Sequence, residues 1–532
     1  MVSSAHPIAS QVGLDVLKNG GNAFDAAIAV HFTLAVVYPQ AGNLGGGGFV
    51  VYRLNDGEHG SLDFREKAPV MATRDMYLKE SGGDMVVNDN KSRLGHLASG
   101  VPGSVDGMVK LYEKFATKDW DELINPAINL AENGFNVTKK QSSGLNNVKS
   151  SLEKVNDKLI PFLKDSEWKE DDILIQKDLS KTLKRIKNKK GDGFYLGETA
   201  DLIVAEMNSG NGIITHEDLE NYSSVWRDPI VGYFKDHKII SMGPPSSGGI
   251  ALLQMLHGAE QLKTNELVHN SVEYINVLSE IESRVYADRA SYLGDADFYD
   301  VPMDFLLNKN YLSNRYKNIK ENIKTPSSDI KSGEIYINES EETTHYSIVD
   351  KLGNAVSVTT TINSSFGSKV VVDGAGFLLN NEMDDFSIKP GFPNMFGLIG
   401  GEANAIEPNK RMLSSMTPTI VEKDKKLFMV LGTPGGSTII TSVFQTILNV
   451  IDHKMGMQEA VDSKKFHHQW LPDVIVIEKN SISKESLENI KKIGHKIMER
   501  GSIGRMDCIL VNKDNNLEGG ADKRGDNIAL GY

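Results

Sequence analysis

The sequence changes abruptly at Thr343, where a polar stretch gives way to two runs of alternating or β-branched residues. Residues 325–342 are mainly Ser, Glu, Lys and Asn with few apolar anchors, a composition that is typical of an exposed connection. Residues 345–349 and 355–362 have strand character and are joined by a Lys-Leu-Gly-Asn turn, which is a strong hairpin pattern. We therefore predict that a central strand begins beside Thr343, at the end of an exposed connection.

The rest of the chain predicts hairpins and helices in both halves. Asn22 is a good N-cap for a buried helix over residues 23–38, and Pro39 ends that helix. Two short apolar runs on either side of an Asp-Gly turn predict a second hairpin. This pattern favours two stacked sheets between helical layers. The other predicted elements are strands at residues 49–52, 61–64 and 427–431 and helical segments at residues 119–190, 271–292 and 438–453.

Composition excludes several classes of function. The 532 residues include 58 basic and 71 acidic side chains, and the resulting formal charge of -13 repels polyanions, so we expect no nucleic-acid partner. The longest apolar stretch, residues 26–37, is too short to cross about 30 Å of hydrocarbon, so we expect no membrane span. Residues 1–11 have neither a basic start nor an apolar core, so no signal peptide is visible.

A cut before Thr343 would combine a nucleophile and a base in one residue. A threonine hydroxyl is a weak nucleophile near neutral pH, whereas a terminal α-amine has an ordinary pKa of about 7.7 to 8.0. An N-terminal threonine carries both groups, and its amine can take the hydroxyl proton directly or through water. Threonine is also common in strands, so on these residues alone a purely structural role for Thr343 stays open.

Short motifs of distinctive composition follow one another along the chain. The first half contains Gly42-Asn43-Leu44, Asp63-Phe64-Arg65-Glu66, Val101-Pro102-Gly103 and Tyr286-Ala287-Asp288-Arg289. The second half contains Thr343-Thr344-His345-Tyr346-Ser347, Gly353-Asn354-Ala355-Val356, Thr361-Ile362-Asn363, Asn380-Asn381-Glu382-Met383-Asp384-Asp385-Phe386, Pro408-Asn409-Lys410-Arg411, Leu413-Ser414-Ser415-Met416-Thr417-Pro418, Pro434-Gly435-Gly436-Ser437 and Phe466-His467-His468-Gln469-Trp470.

In this order the motifs resemble the signatures of bacterial γ-glutamyltransferases, and the resemblance covers nearly the whole chain, most weakly over residues 118–240. It implies an α+β fold: the four-layer αββα N-terminal-nucleophile hydrolase fold, with two stacked, mainly antiparallel sheets between helical layers. It also implies autocatalytic cleavage between Glu342 and Thr343. The products would be a large-subunit region, residues 1–342, and a small-subunit region, residues 343–532, which together form one domain.

The resemblance further implies roles for single residues. Thr343 would be the nucleophile, and Thr361 would assist it by hydrogen bonding. Gly435 and Gly436 would form the oxyanion hole, because glycines let backbone N–H groups approach a developing alkoxide closely. A γ-glutamyl donor carries a free α-carboxylate and a free α-ammonium, which need separate cationic and anionic partners. By resemblance, Arg65, Ser414 and Ser415 would bind the carboxylate, and Asn363, Glu382 and Asp385 would bind the ammonium.

Two positions fall where the family varies or where this chain departs from its usual pattern. Glu382 stands where members have either Gln or Glu, and the acidic choice would tighten ammonium binding. Residues 390–404 resemble a lid over the pocket, in which Phe396 stands where bacterial members often have tyrosine. Phenylalanine cannot donate a phenolic hydrogen bond, so the balance between hydrolysis and transfer stays open.

The implied activity is transfer of the γ-glutamyl group of glutathione or a related donor, through an ester on Thr343, to water or to amino acids and peptides. The expected partners are therefore these donors and acceptors, together with the two subunits of the same precursor. No cofactor is expected. No metal site is expected either, because the adjacent His467 and His468 in a strand-like segment would point to opposite faces and no third ligand is suitably spaced. Family members commonly work in the periplasm or outside the cell, so the resemblance implies a periplasmic or extracellular location.

Two other interpretations stay open from the sequence. A relative with the same fold could act on another acyl group, as a poly-γ-glutamate depolymerase or a cephalosporin acylase does. The lid and the charged pocket residues favour a small γ-glutamyl substrate instead. The chain could also be an uncleaved binding protein without activity, although the presence of Thr343, Thr361 and both glycines argues against that interpretation.

Overall fold

The computed structural model describes residues 1–81, 84–87, 90–330, 343–391 and 400–532. Within these ranges the strands are β1 (Val2–Ser4), β2 (Gly47–Arg53), β3 (His59–Asp63), β4 (Leu78–Ser81), β5 (Asp84–Val87), β6 (Phe135–Asn136), β7 (Ile173–Leu174), β8 (Val225–Arg227), β9 (Ile230–Phe234), β10 (His237–Ser241), β11 (Thr344–Val349), β12 (Ala355–Thr361), β13 (Thr419–Lys423), β14 (Lys426–Leu431), β15 (Phe466–His467), β16 (Ile475–Glu478), β17 (Ile497–Arg500), β18 (Asp507–Val511), β19 (Leu517–Ala521) and β20 (Ile528–Leu530).

The α-helices are interspersed with these strands along the chain. They are α1 (Pro7–Lys18), α2 (Ala23–Val37), α3 (Ser104–Phe115), α4 (Trp120–Asn133), α5 (Lys139–Val155), α6 (Lys177–Lys189), α7 (Asp192–Tyr195), α8 (Gly197–Ser209), α9 (His216–Glu220), α10 (Gly248–Gln261), α11 (Val272–Tyr292), α12 (Met303–Leu306), α13 (Lys309–Tyr316), α14 (Thr438–Ile451), α15 (Met457–Asp462) and α16 (Lys484–Ile493).

Two large sheets form the middle of the molecule. One has seven strands in the order β20-β1-β11-β12-β2-β3-β8, and the other has six in the order β19-β18-β14-β13-β10-β9. Neighbouring strands within each sheet run antiparallel. The strand that begins beside Thr343 is central, because β1 and β12 pair with β11 on either side.

Apolar side chains fill three layers of core. Phe49 and Val51 of the first sheet pack with Ile420 and Val430 of the second, so the two sheets lie face to face. On the other face of the seven-stranded sheet, α2 packs with the neighbouring helices, and on the other face of the six-stranded sheet, α10, α11 and α14 form a second helical layer. This helix-sheet-sheet-helix order confirms the predicted four-layer αββα architecture.

Local sequence patterns explain most element boundaries. Asn22 caps α2 through its side chain and a reciprocal bond with Asp25, so the predicted N-cap is confirmed. Helix α2 is buried along its whole length, as its mostly apolar sequence requires. Both hairpins around residues 49–64 and 345–362 are also confirmed. None of the helices among the described residues is both long and apolar enough to cross a membrane.

Candidate active site

Thr343 lies immediately before β11, and the fold places it opposite the end of the neighbouring strand. Thr344 pairs with Thr360 across β11 and β12, so one residue further the chain brings Thr343 beside Thr361. The Thr343 hydroxyl is 3.4 Å from Thr361 Oγ1, to which it donates, and both residues are buried. Thr361 Oγ1 also accepts the backbone N–H of Asn363 at 2.7 Å, which orients the Thr361 hydroxyl.

A small cavity surrounds this pair of threonines. Its lining includes nine residues that the sequence predicted for the site: Thr343, Thr361, Arg65, Asn363, Glu382, Asp385, Ser414, Ser415 and Gly436. These residues are up to 371 positions apart in the sequence, and the fold brings them together. Three further residues line it, Arg289, Met416 and Ile439, and the sequence analysis gave none of them a role.

The predicted oxyanion glycines form the turn between β14 and α14. Gly435 has a φ of 142° and Gly436 a φ of 53°, backbone conformations that side-chain-bearing residues rarely adopt. Thr438 closes the turn by donating its backbone N–H and its hydroxyl to the Gly435 carbonyl, at 2.9 and 2.8 Å. Gly436 lies in the cavity wall, whereas Gly435 is one residue outside it. The start of α14 therefore lies against the cavity that contains Thr343.

Arg65 lies at the centre of a buried cluster of charged residues at the cavity. Its Nη1 atom is 2.6 Å from Glu382 Oε2 and 3.4 Å from Glu66 Oε2, and its Nη2 atom is 2.5 Å from Asp385 Oδ2. The cluster therefore combines three carboxylates with a single guanidinium. Because Arg65, Glu66 and Glu382 are fully buried, water cannot screen the excess of negative charge.

Burial and crowding change the protonation of this cluster. Burial raises the pKa of Glu66 to about 8, and Arg65 opposes that shift only in part. Burial likewise raises the pKa of Glu382 and of Asp385, with Arg65 again opposing. Burial alone would lower the pKa of Arg65, but the Glu382, Glu66 and Asp385 carboxylates raise it above its ordinary value. Near pH 7 the cluster consequently retains a proton, which the binding of a cation would release.

Ser414 and Ser415 line the cavity next to the N-terminal end of α10. The Ser414 backbone N–H donates to the Pro245 carbonyl at 2.9 Å, and its carbonyl accepts the Ser247 hydroxyl at 2.7 Å. Arg289 on α11 donates to Ser415 Oγ at 3.1 Å and to Ser247 Oγ at 2.9 Å. The motif Tyr286-Ala287-Asp288-Arg289 was the only sequence signal that could have pointed to Arg289.

Two predicted residues cannot be placed. Glu342, on the other side of the predicted cleavage point, and Phe396, in the predicted lid, lie outside the described residues. Two residues after Thr343, His345 is fully buried and contacts the hydroxyls of Thr359 and Ser347 at 2.9 and 3.0 Å. Burial lowers the pKa of His345 to about 3, so this imidazole stays neutral, and its ring nitrogens contact hydroxyls within the sheet.

Comparisons with known proteins show which family this chain resembles. Residues 9–532 match the family profile described as gamma-glutamyltranspeptidase. A glutathione hydrolase proenzyme of Escherichia coli is 44% identical over 535 residues, which cover 100% of this chain and 92% of that protein. A crystal structure of Helicobacter pylori gamma-glutamyltranspeptidase is 45% identical with a TM-score of 0.60, covering 63% of this chain and 96% of that one.

A more distant structure extends the similarity to the whole fold. The crystal structure of a cephalosporin acylase from Bacillus halodurans has a TM-score of 0.84 and covers 99% of this chain and 94% of that one. At 23% identity it is informative about the fold alone. The profile match over residues 9–532 and the 44% identity along the full length show that this chain belongs to the γ-glutamyltranspeptidase family.

Proposed function

We propose that this chain is the precursor of a glutathione hydrolase and γ-glutamyltransferase, and that it cleaves itself between Glu342 and Thr343. The observation that carries this proposal is the position of Thr343, whose buried hydroxyl lies at the start of a central strand and beside Thr361. The same cavity holds separate cationic and acidic groups, which a zwitterionic γ-glutamyl donor needs.

Self-cleavage would begin with attack of the Thr343 hydroxyl on the carbonyl carbon of Glu342. The hydroxyl proton passes to the peptide nitrogen as the C–N bond breaks, leaving an ester between Glu342 and Thr343 Oγ1. Water then hydrolyses that ester, which gives a carboxylic acid on Glu342 and a free amine and hydroxyl on Thr343. Thr361 would support the attack by holding the Thr343 hydroxyl in place.

After cleavage, the Thr343 amine would act as the general base. His345, two residues further along the chain, is unsuited to this role because burial lowers its pKa to about 3 and both ring nitrogens contact hydroxyls of the sheet. A free α-amine has an ordinary pKa close to working pH, as efficient general-base catalysis requires. With that amine taking its proton, Thr343 Oγ1 attacks the γ-carbonyl of the donor.

The tetrahedral intermediate would place its oxyanion against the backbone N–H groups of Gly435 and Gly436, at the start of α14. Its collapse expels the amine part of the donor, which takes up the proton, and leaves a γ-glutamyl ester on Thr343. Water or the amine of an amino acid or peptide then attacks the ester and regenerates the free hydroxyl. The choice between these acceptors would depend on how well the predicted lid, with Phe396, excludes water.

Donor recognition would use both ends of the cavity. The acidic cluster of Glu382 and Asp385, with Asn363, would hold the α-ammonium, because this cluster has an excess of negative charge. The α-carboxylate would lie between Arg65 and the hydroxyls of Ser414 and Ser415. A strictly charged pocket of this kind favours a γ-glutamyl donor over the apolar acyl groups that an acylase would accept.

The subunits would be residues 1–342 and residues 343–532, held together as one domain. Supporting this, the seven-stranded sheet takes β1, β2, β3 and β8 from the first region and β11, β12 and β20 from the second. The six-stranded sheet is mixed in the same way, with β9 and β10 from the first region. For the location we propose the periplasm or the outside of the cell, which fractionation of expressing cells would test.

The test of the proposed function is the intact mass of the purified protein, combined with turnover of γ-glutamyl p-nitroanilide and of glutathione. Wild type should give two fragments that separate between Glu342 and Thr343, with turnover. Thr343→Ala should give one inactive chain of full length. Thr344→Ala is the matched control, since it removes the neighbouring buried hydroxyl and should leave both fragments and turnover in place.

Other outcomes would identify the alternatives. An uncut and inactive wild-type chain would support a binding protein without activity. Clean cleavage without turnover of either γ-glutamyl donor would support an acylase that takes a different acyl group, and glutaryl p-nitroanilide, which lacks the α-ammonium, would then be the better substrate.

A further inference from the structure

Arg289 is a buried cation in the wall of the cavity, and no ion pair neutralises it within the part of the chain that the structure describes. It lies on α11 with 5% of its surface exposed, and burial lowers its pKa, a shift that Tyr286 and the Asp385 carboxylate, which is beyond ion-pair distance, oppose only in part. Arg65, in contrast, contacts three carboxylates. Because an unpaired buried charge is costly, such a group commonly marks a place where an opposite charge binds.

Ser414 and Ser415 beside it are arranged as hydrogen-bond donors. Ser414 Oγ accepts the backbone N–H of Met416 at 3.1 Å, and Ser415 Oγ accepts Arg289 Nη2 at 3.1 Å. Among the described residues, neither serine hydroxyl has a hydrogen-bond acceptor of its own. Each serine has one proton to donate, and both line the cavity together with Thr343. Two O–H donors are therefore available to an anion close to the nucleophile.

We infer that Arg289 is a positioning residue for the α-carboxylate of the γ-glutamyl donor. By donating to Ser415 Oγ it fixes this oxygen as an acceptor, so that the hydroxyl proton is directed to the carboxylate, with the positive charge of Arg289 behind it. The inference rests on the proposed function, because it presupposes a γ-glutamyl donor in this cavity. It also explains how an anion can bind beside Arg65, whose own surroundings are negative: the second arginine supplies the missing positive charge.

Two anilides separate this role from a general structural one. The first, γ-glutamyl p-nitroanilide, carries the α-carboxylate, and the second, 4-aminobutyryl p-nitroanilide, lacks it. Arg289→Met should raise the KM of the first roughly tenfold to hundredfold, as the loss of a charge-assisted interaction predicts, while kcat changes by less than about threefold. For the second anilide, kcat/KM should stay within about twofold of the wild-type value.

Arg289→Lys should give an intermediate KM, because one ammonium group cannot reproduce the two separate bonds to Ser247 and Ser415. Arg284→Lys is the matched control: Arg284 is buried on the same helix but pairs with Glu280 at 2.7 Å and contributes nothing to the cavity lining. Its KM for both anilides should equal that of wild type.

A double-mutant cycle tests whether Arg289 acts through Ser415. In a Ser415→Ala background, Arg289→Met should change the KM of the γ-glutamyl anilide by less than about threefold. Fully additive effects, or equal losses with both anilides, would overturn the inference. If Arg289→Met does not fold, Arg289→Lys and the Ser415→Ala variant carry the same comparison. Intact mass distinguishes the two failures: each variant should still give both fragments, whereas absent cleavage and turnover in wild type would refute the proposed function itself.

Discussion

Glu382→Gln perturbs the acidic cluster with almost no change in shape. The wild-type carboxylate lies 2.6 Å from Arg65 Nη1, and Glu66 and Asp385 crowd the same guanidinium. An ammonium placed about 4 Å from a carboxylate gains about 4 kcal/mol at an effective dielectric constant of 20, and desolvation offsets part of that gain. A charge-assisted hydrogen bond retains about 1.5 to 3 kcal/mol. We therefore expect the donor KM to rise about tenfold to hundredfold, with a smaller change in kcat.

The pH dependence of the donor KM is a second test of the acidic cluster. Burial raises the pKa of Glu66 to about 8 and also raises that of Glu382, so the wild-type cluster becomes more negative as the pH rises through 8. Ammonium binding should strengthen over that interval, and the wild-type KM should fall until the donor ammonium itself loses its proton. In Glu382→Gln the remaining carboxylates repel one another less and ionise at lower pH, so KM should vary less.

The stability of the folded protein should fall with rising pH, while donor binding strengthens. A carboxyl whose pKa is raised by folding stabilises the folded state most below its unfolded pKa, and that contribution is lost as the pH rises through the folded pKa. The wild-type Tm should accordingly fall towards pH 9, and Glu382→Gln should flatten this decline by removing one repelling charge. Glu422→Gln is the control, because Glu422 is a buried partner of Arg53 and is not among the residues that line the cavity.

The assay is the KM and kcat of γ-glutamyl p-nitroanilide from pH 6 to 9 for wild type and both variants, with Tm measured by circular dichroism in the same buffers. A donor KM in Glu382→Gln that equals the wild-type value at every pH would refute the reasoning, since the acidic cluster would then contribute nothing to ammonium binding. A rise in KM shared by Glu422→Gln would refute it as well, because the effect would be one of total charge.

Two further substitutions test the nucleophile and the oxyanion turn. Thr361→Val removes the oxygen that accepts the Thr343 hydroxyl, so self-cleavage should slow at least about tenfold. Gel electrophoresis of samples taken over time measures this rate. Thr359→Val on the same strand is the control and should cleave at the wild-type rate. Gly435→Ala would place a Cβ 2.6 Å from Thr438 Oγ1 at a φ of 142°, so kcat should fall about a hundredfold with an unchanged far-ultraviolet spectrum. Gly353→Ala is the control, because its φ is also positive, at 90°, but open space surrounds it; equal losses in both variants would contradict a role for the turn in catalysis.

The sequence predicted the framework of the fold because the strongest elements carry strong local patterns. Helix α2 has an N-cap, a continuous apolar run and a terminating proline, and the hairpin of β11 and β12 has two β-branched runs around a glycine turn. The two-residue strands β6 and β7 went unpredicted within the helical stretch 119–190. A pair so short has no periodicity of its own and depends on the helices around it.

The sequence predicted which residues would line the site but not how these residues are arranged. The motifs predicted that Arg65 and Asp385 bind opposite ends of the donor, and the structure joins these two residues in an ion pair of 2.5 Å across 320 positions. Arg289 had no predicted role because α11 is buried over almost its entire length, so helical periodicity does not separate its cavity face from its packing faces. Contacts of this kind depend on how distant segments meet, which local patterns do not specify.

Cleavage before Thr343 is compatible with a stable enzyme because both sheets are built from both sides of the cut. Strand β11, which would acquire the new N-terminus, keeps β1 of the first region on one side and β12 of the second on the other. The cavity is divided in the same way: Arg65 and Arg289 belong to the first region, and Thr343 and Ser415 to the second. If Thr343 is the nucleophile, as we propose, neither region alone could bind a donor beside it, and the free amine of Thr343 would appear only within an assembled site.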